Sequence, residues 1–143
     1  MKRNFLILIF CLAALYNCKE KETNQEPEVV KIPEGIYVGT FQCNNPYFNG
    51  LASDITMTFT SNTWEGTVLS PSESVGCYPG LCRGSYSIAD STIIFVNECA
   101  WNTYLDWTHI LNNEFYLKTT TDKIEFYRIH ETYKDMYKLT RQN

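Results

Sequence analysis

The stretch CRGSYSIADSTIIFVNEC, residues 82–99, decides the fold of this chain. It contains two short runs rich in aromatic and β-branched residues, 84–88 and 93–97, and such runs favour β-strands. A two-residue turn at Asp90 and Ser91 would join them as a hairpin. In that register apolar side chains meet across the two strands: Ile88 faces Ile93, Tyr86 faces Phe95, and Gly84 faces Asn97.

Two cysteines lie at the open end of this hairpin. The register that pairs the apolar residues also places Cys82 opposite Cys99. Opposite residues of an antiparallel pair have Cβ atoms about 4.5 to 5.5 Å apart, which a disulfide can span where strands end. The sequence therefore predicts a Cys82–Cys99 disulfide.

Two further hairpins follow the same rule. DITMTFT, residues 54–60, alternates strictly between apolar and polar side chains, which indicates a half-buried strand, and a turn at 61–62 follows it. A turn at 121–122 joins the runs 114–120 and 123–129. The predicted pairs are Phe59 with Trp64, Met57 with Gly66, Ile55 with Val68, Leu117 with Phe126, and Thr119 with Ile124.

Strand-like runs at 36–43 and 134–141 complete the pattern, and no long amphipathic helix interrupts it. About eight short strands joined by tight turns indicate an all-β chain. Closure into an antiparallel up-and-down barrel hides the two sheet edges, and a barrel of about eight strands is either filled or holds one small ligand. Residues 100–109, the covering segment, break the two-residue period and are expected to form a loop or a short helical turn over one end.

The chain begins with an export pattern. Lys2 and Arg3 precede an apolar run, residues 5–16, that is too short to span a bilayer as a helix. Cys18 and a polar stretch follow, and this order resembles a bacterial lipoprotein signal. The resemblance implies cleavage before Cys18, with diacylglycerol on its thiol and a fatty acid such as palmitate on its new amino group. An ordinary signal peptide, with Cys18 as a stray thiol, is the alternative.

The predicted organisation is a signal peptide at 1–17, a lipidated Cys18 with a disordered tether at 18–33, and a barrel domain at 34–143. Lys19, rather than Asp, follows the cysteine, which by resemblance implies an outer-membrane protein on the periplasmic face or the cell surface. Cleavage removes two of the 12 basic residues and none of the 16 acidic ones, so the mature net charge is about −6. An acidic body argues against nucleic acid as a partner.

Four of the six cysteines remain in the body once Cys11 is cut away and Cys18 carries lipid. An even number outside the cytoplasm favours a disulfide framework. With Cys82 bonded to Cys99, a bond between Cys43 and Cys77 follows by elimination. Zinc is the rival interpretation, but four residues separate Cys77 from Cys82 where zinc motifs often have two, so no metal site is predicted.

Several segments resemble small lipocalin-like, calycin-type lipoproteins of Gram-negative bacteria. They are GIYVGTF at 35–41, the hairpin at 84–97, CAWNTYLDW at 99–107 and YKLTRQ at 137–142. In lipocalins an arginine near the last strand packs over a first-strand tryptophan; Arg141 and Tyr37 occupy those places here. The resemblance implies a calyx and, often, a small apolar ligand.

No catalytic arrangement is recognisable, so the chain is not expected to be an enzyme and no cofactor is predicted. No Gly-x-Ser-x-Gly turn is present, and the body cysteines are assigned to disulfides. His130 is expected in a solvated turn, while His109 follows the tryptophans of the covering segment. Asp106 and Glu98 are the only carboxylate pair near a plausible opening, and their spacing requires no catalytic role.

The aromatic residues point to a ligand site. Trp101, Tyr104 and Trp107 crowd the covering segment, as in pockets for small molecules, although such rings also serve as a core plug. Arg128 is two residues from Phe126 on the same strand, so both side chains are expected to point into the barrel. Arg128 would then face an acid or an anionic ligand, unless its long side chain extends to water. The residues predicted to contact a small apolar or amphipathic ligand are Trp64, Tyr86, Phe95, Trp101, Trp107, Phe126 and Arg128.

The alternative function is a structural or interaction module with a filled barrel. Its working surface would be the loop FQCNNPYFNGLAS, residues 41–53, which combines amide and aromatic groups suited to a protein or glycan partner. The residues of interest in that loop are Asn44, Asn45, Pro46, Tyr47 and Gly50.

Overall fold

The computed structural model describes residues 30–44, 51–70, 77–103 and 105–143. They form a closed barrel of eight antiparallel strands in which each strand pairs with the next and the last pairs with the first. This confirms the predicted all-β, up-and-down barrel. The strands are β1 (Gly35–Cys43), β2 (Ala52–Thr60), β3 (Thr63–Ser70), β4 (Arg83–Ala89), β5 (Thr92–Asn97), β6 (Asn113–Thr119), β7 (Lys123–Ile129) and β8 (Lys134–Arg141).

Some predictions concern residues outside these ranges. The signal peptide, Cys18, most of the tether, loop residues 45–50 and Tyr104 all lie there. Within the described ranges, the helical element is a 3₁₀ turn at Trp107–His109, and no helix is long and apolar enough to cross a membrane. That turn lies in the covering segment, where a loop or a short helical turn was predicted.

The strand registers agree with the sequence predictions. The hairpin pairs Ile88 with Ile93, Tyr86 with Phe95 and Gly84 with Asn97, and Asp90 takes the left-handed turn conformation with φ 52°. The other two hairpins also have the predicted pairs, Phe59 with Trp64, Met57 with Gly66, Ile55 with Val68, Leu117 with Phe126, and Thr119 with Ile124.

One of the two predicted disulfides is present. Cys82 and Cys99 are bonded, with Cα atoms 6.4 Å apart, which confirms the pairing derived from the hairpin. The Cys43–Cys77 bond is not formed, and that prediction is wrong: both residues are buried thiols, and they interact through a hydrogen bond. The inference by elimination failed because strand register fixes only the Cys82–Cys99 pair, whereas Cys77 lies in a connecting segment. The Cys77 thiol also donates to the carbonyl oxygen of Leu51 over 4.0 Å.

Aromatic side chains fill the inside of the barrel. They point inward at alternate positions along the strands, as the two-residue period requires. Phe126 stacks on Tyr137 with ring centroids 4.5 Å apart, and Tyr37 meets Phe59 edge to face at 5.5 Å. The largest fully buried rings are Trp64, Tyr37, Tyr137, Phe41, Phe59, Phe95, Phe115 and Phe126.

The covering segment is fastened to the connection that precedes β4. The Gly80 amide donates to the carbonyl oxygen of His109 over 2.9 Å, and the Leu111 amide donates to Gly80 over 3.1 Å. Gly80 permits this approach because a Cβ there would lie 2.9 Å from the Cα of Ile110. The end of the barrel beneath this segment is called the covered end below.

Candidate functional site

Four of the predicted ligand-binding residues are part of the packed interior. Trp64, Tyr86, Phe95 and Phe126 are each no more than 8% exposed. Phe95 touches the other three, with ring centroids 5.7, 6.4 and 5.0 Å away respectively. The space around Phe95 is therefore occupied by side chains of the protein itself.

The other three predicted residues, Trp101, Trp107 and Arg128, line an open cleft of about 500 Å³ at the covered end. Trp107 is 62% exposed there, in contrast to the buried rings of the interior. The seven residues thus do not form one pocket. The end cleft is lined by Asn97, Cys99, Trp101, Trp107, Thr108, Ile110, Asn112, Asn113, Arg128 and His130.

Hydrogen bonds fix both tryptophans of the end cleft. The indole N–H of Trp101 donates to Asn97 Oδ1 over 3.1 Å, and that of Trp107 donates to the carbonyl oxygen of Asn102 over 3.3 Å. Asn97 Oδ1 also accepts from the amide of Cys99 over 3.0 Å, next to the disulfide. Because their polar atoms are already engaged, the two indoles offer mainly apolar ring surface to the cleft.

The turn that carries Trp107 is capped by Asp106. Its Oδ1 accepts from the amide of Thr108 over 2.9 Å and from the Thr108 hydroxyl over 2.7 Å. Burial raises the pKa of Asp106, but these two hydrogen bonds and the nearby His109 outweigh that effect, so the pKa lies below its ordinary value. The charged carboxylate therefore helps to hold the covering segment in place.

Arg128 joins the barrel wall to the covering segment. Its guanidinium donates to the carbonyl oxygen of Asn112 over 3.1 Å and to that of Thr108, and it lies 4.7 Å above the Phe115 ring. Its Nη2 is also 3.5 Å from Asp135 Oδ2. Of the roles considered for Arg128, the one observed is a cation that faces an acid.

Asp135, which the sequence did not single out, is the centre of a buried polar cluster. The residue is 1% exposed. Its Oδ2 accepts from His130 Nε2 at 2.9 Å and lies within hydrogen-bond distance of His109 Nδ1 at 3.3 Å, while its Oδ1 lies 3.2 Å from the same nitrogen. The sequence could have indicated Asp135: it is two residues from Tyr137 on the same strand, so its side chain also points inward, and a charged residue inside a barrel needs a partner.

Two thiols adjoin this cluster. Cys43 ends β1 directly opposite Asp135 in β8, and Cys43, His109 and Asp135 place donor atoms within 4.8 Å of one another. Cys77 lies beside Cys43, and burial together with the hydrogen bond to Cys43 raises the pKa of the Cys77 thiol. The sequence prediction of no metal site overlooked this group because its members come from distant parts of the chain.

A second cleft, of about 640 Å³, opens at the opposite end of the barrel beside residues 30–34. Tyr86 reaches its margin and donates from its hydroxyl to the carbonyl oxygen of Ser61 over 3.1 Å. Glu34 accepts from the amide and the hydroxyl of Ser61, over 2.8 and 2.9 Å, and these bonds lower the pKa of Glu34. Residues 30–34 therefore contact the barrel before β1 begins.

Comparison with protein-family models, with curated proteins and with solved structures gave no match for this chain. The all-antiparallel, eight-stranded barrel is consistent with a calycin-like fold. A fold alone does not define a function, so function is argued from the clefts and the polar cluster.

Proposed function

We propose that the protein is a lipoprotein of the outer membrane, anchored through Cys18, and that its filled barrel binds a small amphipathic ligand in the end cleft. The anchor rests on the sequence: a short apolar run ends at Cys18, and a polar stretch separates that residue from β1. Two or more acyl chains hold a protein on a membrane without a spanning helix. The proposal includes no catalytic step.

The contrast between buried and exposed aromatic residues is the observation that carries the ligand proposal. The rings of the interior contact one another, whereas Trp107 is 62% exposed in the end cleft. Exposed large apolar side chains that gather in a cleft are typical of ligand sites. We therefore expect the apolar part of the ligand to contact Trp101 and Trp107 rather than the rings inside the barrel.

The polar lining of the end cleft favours a ligand that is amphipathic rather than wholly apolar. Asn112, Asn113 and His130 border the cleft, and its described lining includes no carboxylate. Arg128 contributes positive charge, but Asp135 and two carbonyl groups already engage it. A polar group that accepts hydrogen bonds, such as a hydroxyl, carbonyl or carboxyl oxygen, matches this edge of the cleft.

Native mass spectrometry of the full chain, purified in mild detergent and compared with the same sample denatured, tests the ligand proposal. We expect a mass excess that is lost on denaturation. Trp107→Ala should reduce that excess, and Tyr116→Ala, which changes a half-exposed ring on the outer wall, should not. Equal retention by the two variants, or no mass excess in any sample, would remove the end cleft as a ligand site.

The anchor has a separate test. In cells fed a labelled fatty acid, the wild-type chain should become labelled and sediment with membranes, and Cys18→Ser should do neither. Cys11→Ser provides the matched control, because Cys11 would be removed with the signal peptide. Label in Cys18→Ser would contradict the proposed lipidation.

A second candidate function is supported by the same packed interior. A barrel that is filled by its own side chains can serve as a scaffold for a protein or glycan partner. If no small molecule is retained, replacing Tyr47 by alanine and measuring binding to purified envelope material would test this candidate. Loss of binding in Tyr47→Ala, but not in Tyr116→Ala, would favour it.

A further inference from the structure

We propose that the covered end of the barrel binds one Zn²⁺ ion through Cys43, Cys77, His109 and Asp135. This site lies in the barrel wall beneath the covering segment, and none of its four proposed ligands lines the end cleft.

The topology of the barrel brings three donors together. Cys43 and Asp135 are cross-strand partners in the β1–β8 pair, and the 3₁₀ turn of the covering segment places His109 over them. Their donor atoms lie within 4.8 Å of one another, and the three residues are 0%, 1% and 3% exposed respectively. Such a group needs only a small contraction to surround one ion.

Cys77 is the proposed fourth donor; it lies outside the group of three whose donor atoms are within 4.8 Å of one another, but next to Cys43. It is 1% exposed, and its thiol interacts with that of Cys43. Two sulfurs, one imidazole nitrogen and one carboxylate oxygen are the donor types that Zn²⁺ binds in tetrahedral sites, whereas Mg²⁺ and Ca²⁺ prefer oxygen ligands alone.

The two carboxylate oxygens of Asp135 have different surroundings. Oδ2 accepts from His130 over 2.9 Å, lies within hydrogen-bond distance of His109 Nδ1 at 3.3 Å, and is 3.5 Å from Arg128 Nη2. Oδ1 is buried and accepts no hydrogen bond from the described residues, although His109 Nδ1 is 3.2 Å away. A buried carboxylate oxygen without a donor is unfavourable. A cation bound by Oδ1 and His109 Nδ1 would satisfy it, and would replace the present hydrogen bond between His109 Nδ1 and Oδ2.

The outer contacts of this site resemble those that orient metal ligands. His109 Nε2 lies 3.8 Å from Asp106 Oδ2, on the side of the ring away from Asp135. Metal-bound histidines commonly direct their second nitrogen to a carboxylate, which fixes the ring and its tautomer. His130 and Arg128 play the corresponding role for Asp135.

The charges also balance. Binding releases the thiol protons of Cys43 and Cys77 to solvent, so two thiolates and the Asp135 carboxylate carry three negative charges. One Zn²⁺ ion and the Arg128 guanidinium carry three positive charges. Four protein ligands leave no open position for water, which makes the ion structural: it joins β1, β8, the segment before β4 and the covering segment.

Native mass spectrometry of the full chain tests the site first. Cys11→Ser and Cys18→Ser in every sample leave Cys43 and Cys77 as the only thiols outside the Cys82–Cys99 disulfide. On addition of one equivalent of Zn²⁺ without reductant, we expect an adduct of one zinc ion with two protons displaced. The absence of a zinc adduct would overturn the proposal. A metal-free mass lower by two hydrogens than that of the chain with one disulfide would also overturn it, because Cys43 and Cys77 would then have formed a second disulfide.

Cobalt substitution then identifies the ligands, because thiolate bound to Co²⁺ gives a charge-transfer absorption. We expect Cys77→Ser and His109→Gln to weaken Co²⁺ binding by more than about 100-fold, and the control His130→Gln by about 10-fold, because His130 only orients Asp135. Near-ultraviolet circular dichroism without metal identifies any variant that fails to fold, and Asp135→Asn is then measured in its place. Equal affinity in folded wild type and ligand variants would refute the site.

Discussion

Gly39 of β1 lies directly against the backbone of Lys138 in β8: a Cβ at position 39 would be 1.8 Å from the Lys138 carbonyl oxygen. These two residues lie on adjacent strands, in the β1–β8 pair that closes the barrel, although Gly39 itself pairs in register with Leu139. The backbones approach this closely only because glycine has no side chain. A side chain at position 39 would therefore displace the backbone of β8 where β1 and β8 close the barrel.

We expect Gly39→Ala to destabilise the protein by more than about 3 kcal/mol, because a methyl group there must displace backbone rather than a flexible side chain. Gly66→Ala is the control, since its Cβ would meet the Leu81 side chain at 3.3 Å, a tight contact with a side chain rather than with backbone. Urea denaturation measures both free energies of unfolding. Similar losses in the two variants would contradict the role assigned to Gly39.

The packed interior predicts a large cost for removing one ring. Phe95 is 1% exposed and contacts rings of four other strands, so Phe95→Ala should lower the free energy of unfolding by about 3 to 5 kcal/mol. Tyr116→Ala, which removes a half-exposed ring from the outer wall, should cost about 1 kcal/mol. A neutral Phe95→Ala would mean that the interior has room for a ligand after all.

The Cys82–Cys99 bond closes a loop with a sequence separation of 17 residues. Replacing both cysteines by alanine should lower the free energy of unfolding by about 3 kcal/mol, because the unfolded chain regains that loop's freedom. Thermal unfolding with and without reductant measures the effect. Reductant should destabilise the wild type and leave the double variant unchanged. If the thermal stability of the wild type did not change on reduction of the disulfide, the bond would contribute nothing to stability.

The sequence was sufficient for the sheet because the information was local. A two-residue period and a tight turn fix each hairpin register, and the Cys82–Cys99 pair inherits its position from one of them. The contact between His109 and Asp135 could not be predicted in this way, although the inward position of Asp135 could. His109 and Asp135 are separated by 26 residues, and their meeting depends on how the covering segment folds over the barrel end.

Local sequence patterns also explain why the predicted ligand-binding residues divide between the packed interior and the end cleft. Period two correctly predicts that Trp64 and Phe126 point inward, but it does not say whether inward rings leave a space between them. Trp107 lies in a segment with no such period, so nothing in its sequence neighbours could place it in an exposed cleft. Packing density and the course of a loop are properties of the folded chain rather than of local patterns.

Two buried phenols should make the protein unfold at alkaline pH. Burial raises the pKa of Tyr37 and of Tyr86 above the ordinary value of 10.0, with further effects from nearby charges. Each hydroxyl donates to a carbonyl oxygen, that of Pro33 over 2.7 Å and that of Ser61 over 3.1 Å, and only the neutral phenol can do so. The unfolded chain therefore loses these protons at a lower pH than the folded chain.

Because the pKa of each tyrosine is higher in the folded chain than in the unfolded chain, the free energy of unfolding falls as the pH rises. The contribution of each raised tyrosine is fully present below pH 10.0, and it is lost as the pH rises through the higher folded-state pKa. Each group lowers the free energy of unfolding by at most about 1.4 kcal/mol per pH unit in that window. Tyr86→Phe loses a hydrogen bond at neutral pH, at a cost of about 1 kcal/mol, but its stability should fall less steeply above pH 10.0 because phenylalanine does not ionise. Urea midpoints measured from neutral to alkaline pH give both slopes, and equal slopes for wild type and Tyr86→Phe would show that this phenol titrates alike in the folded and unfolded chains.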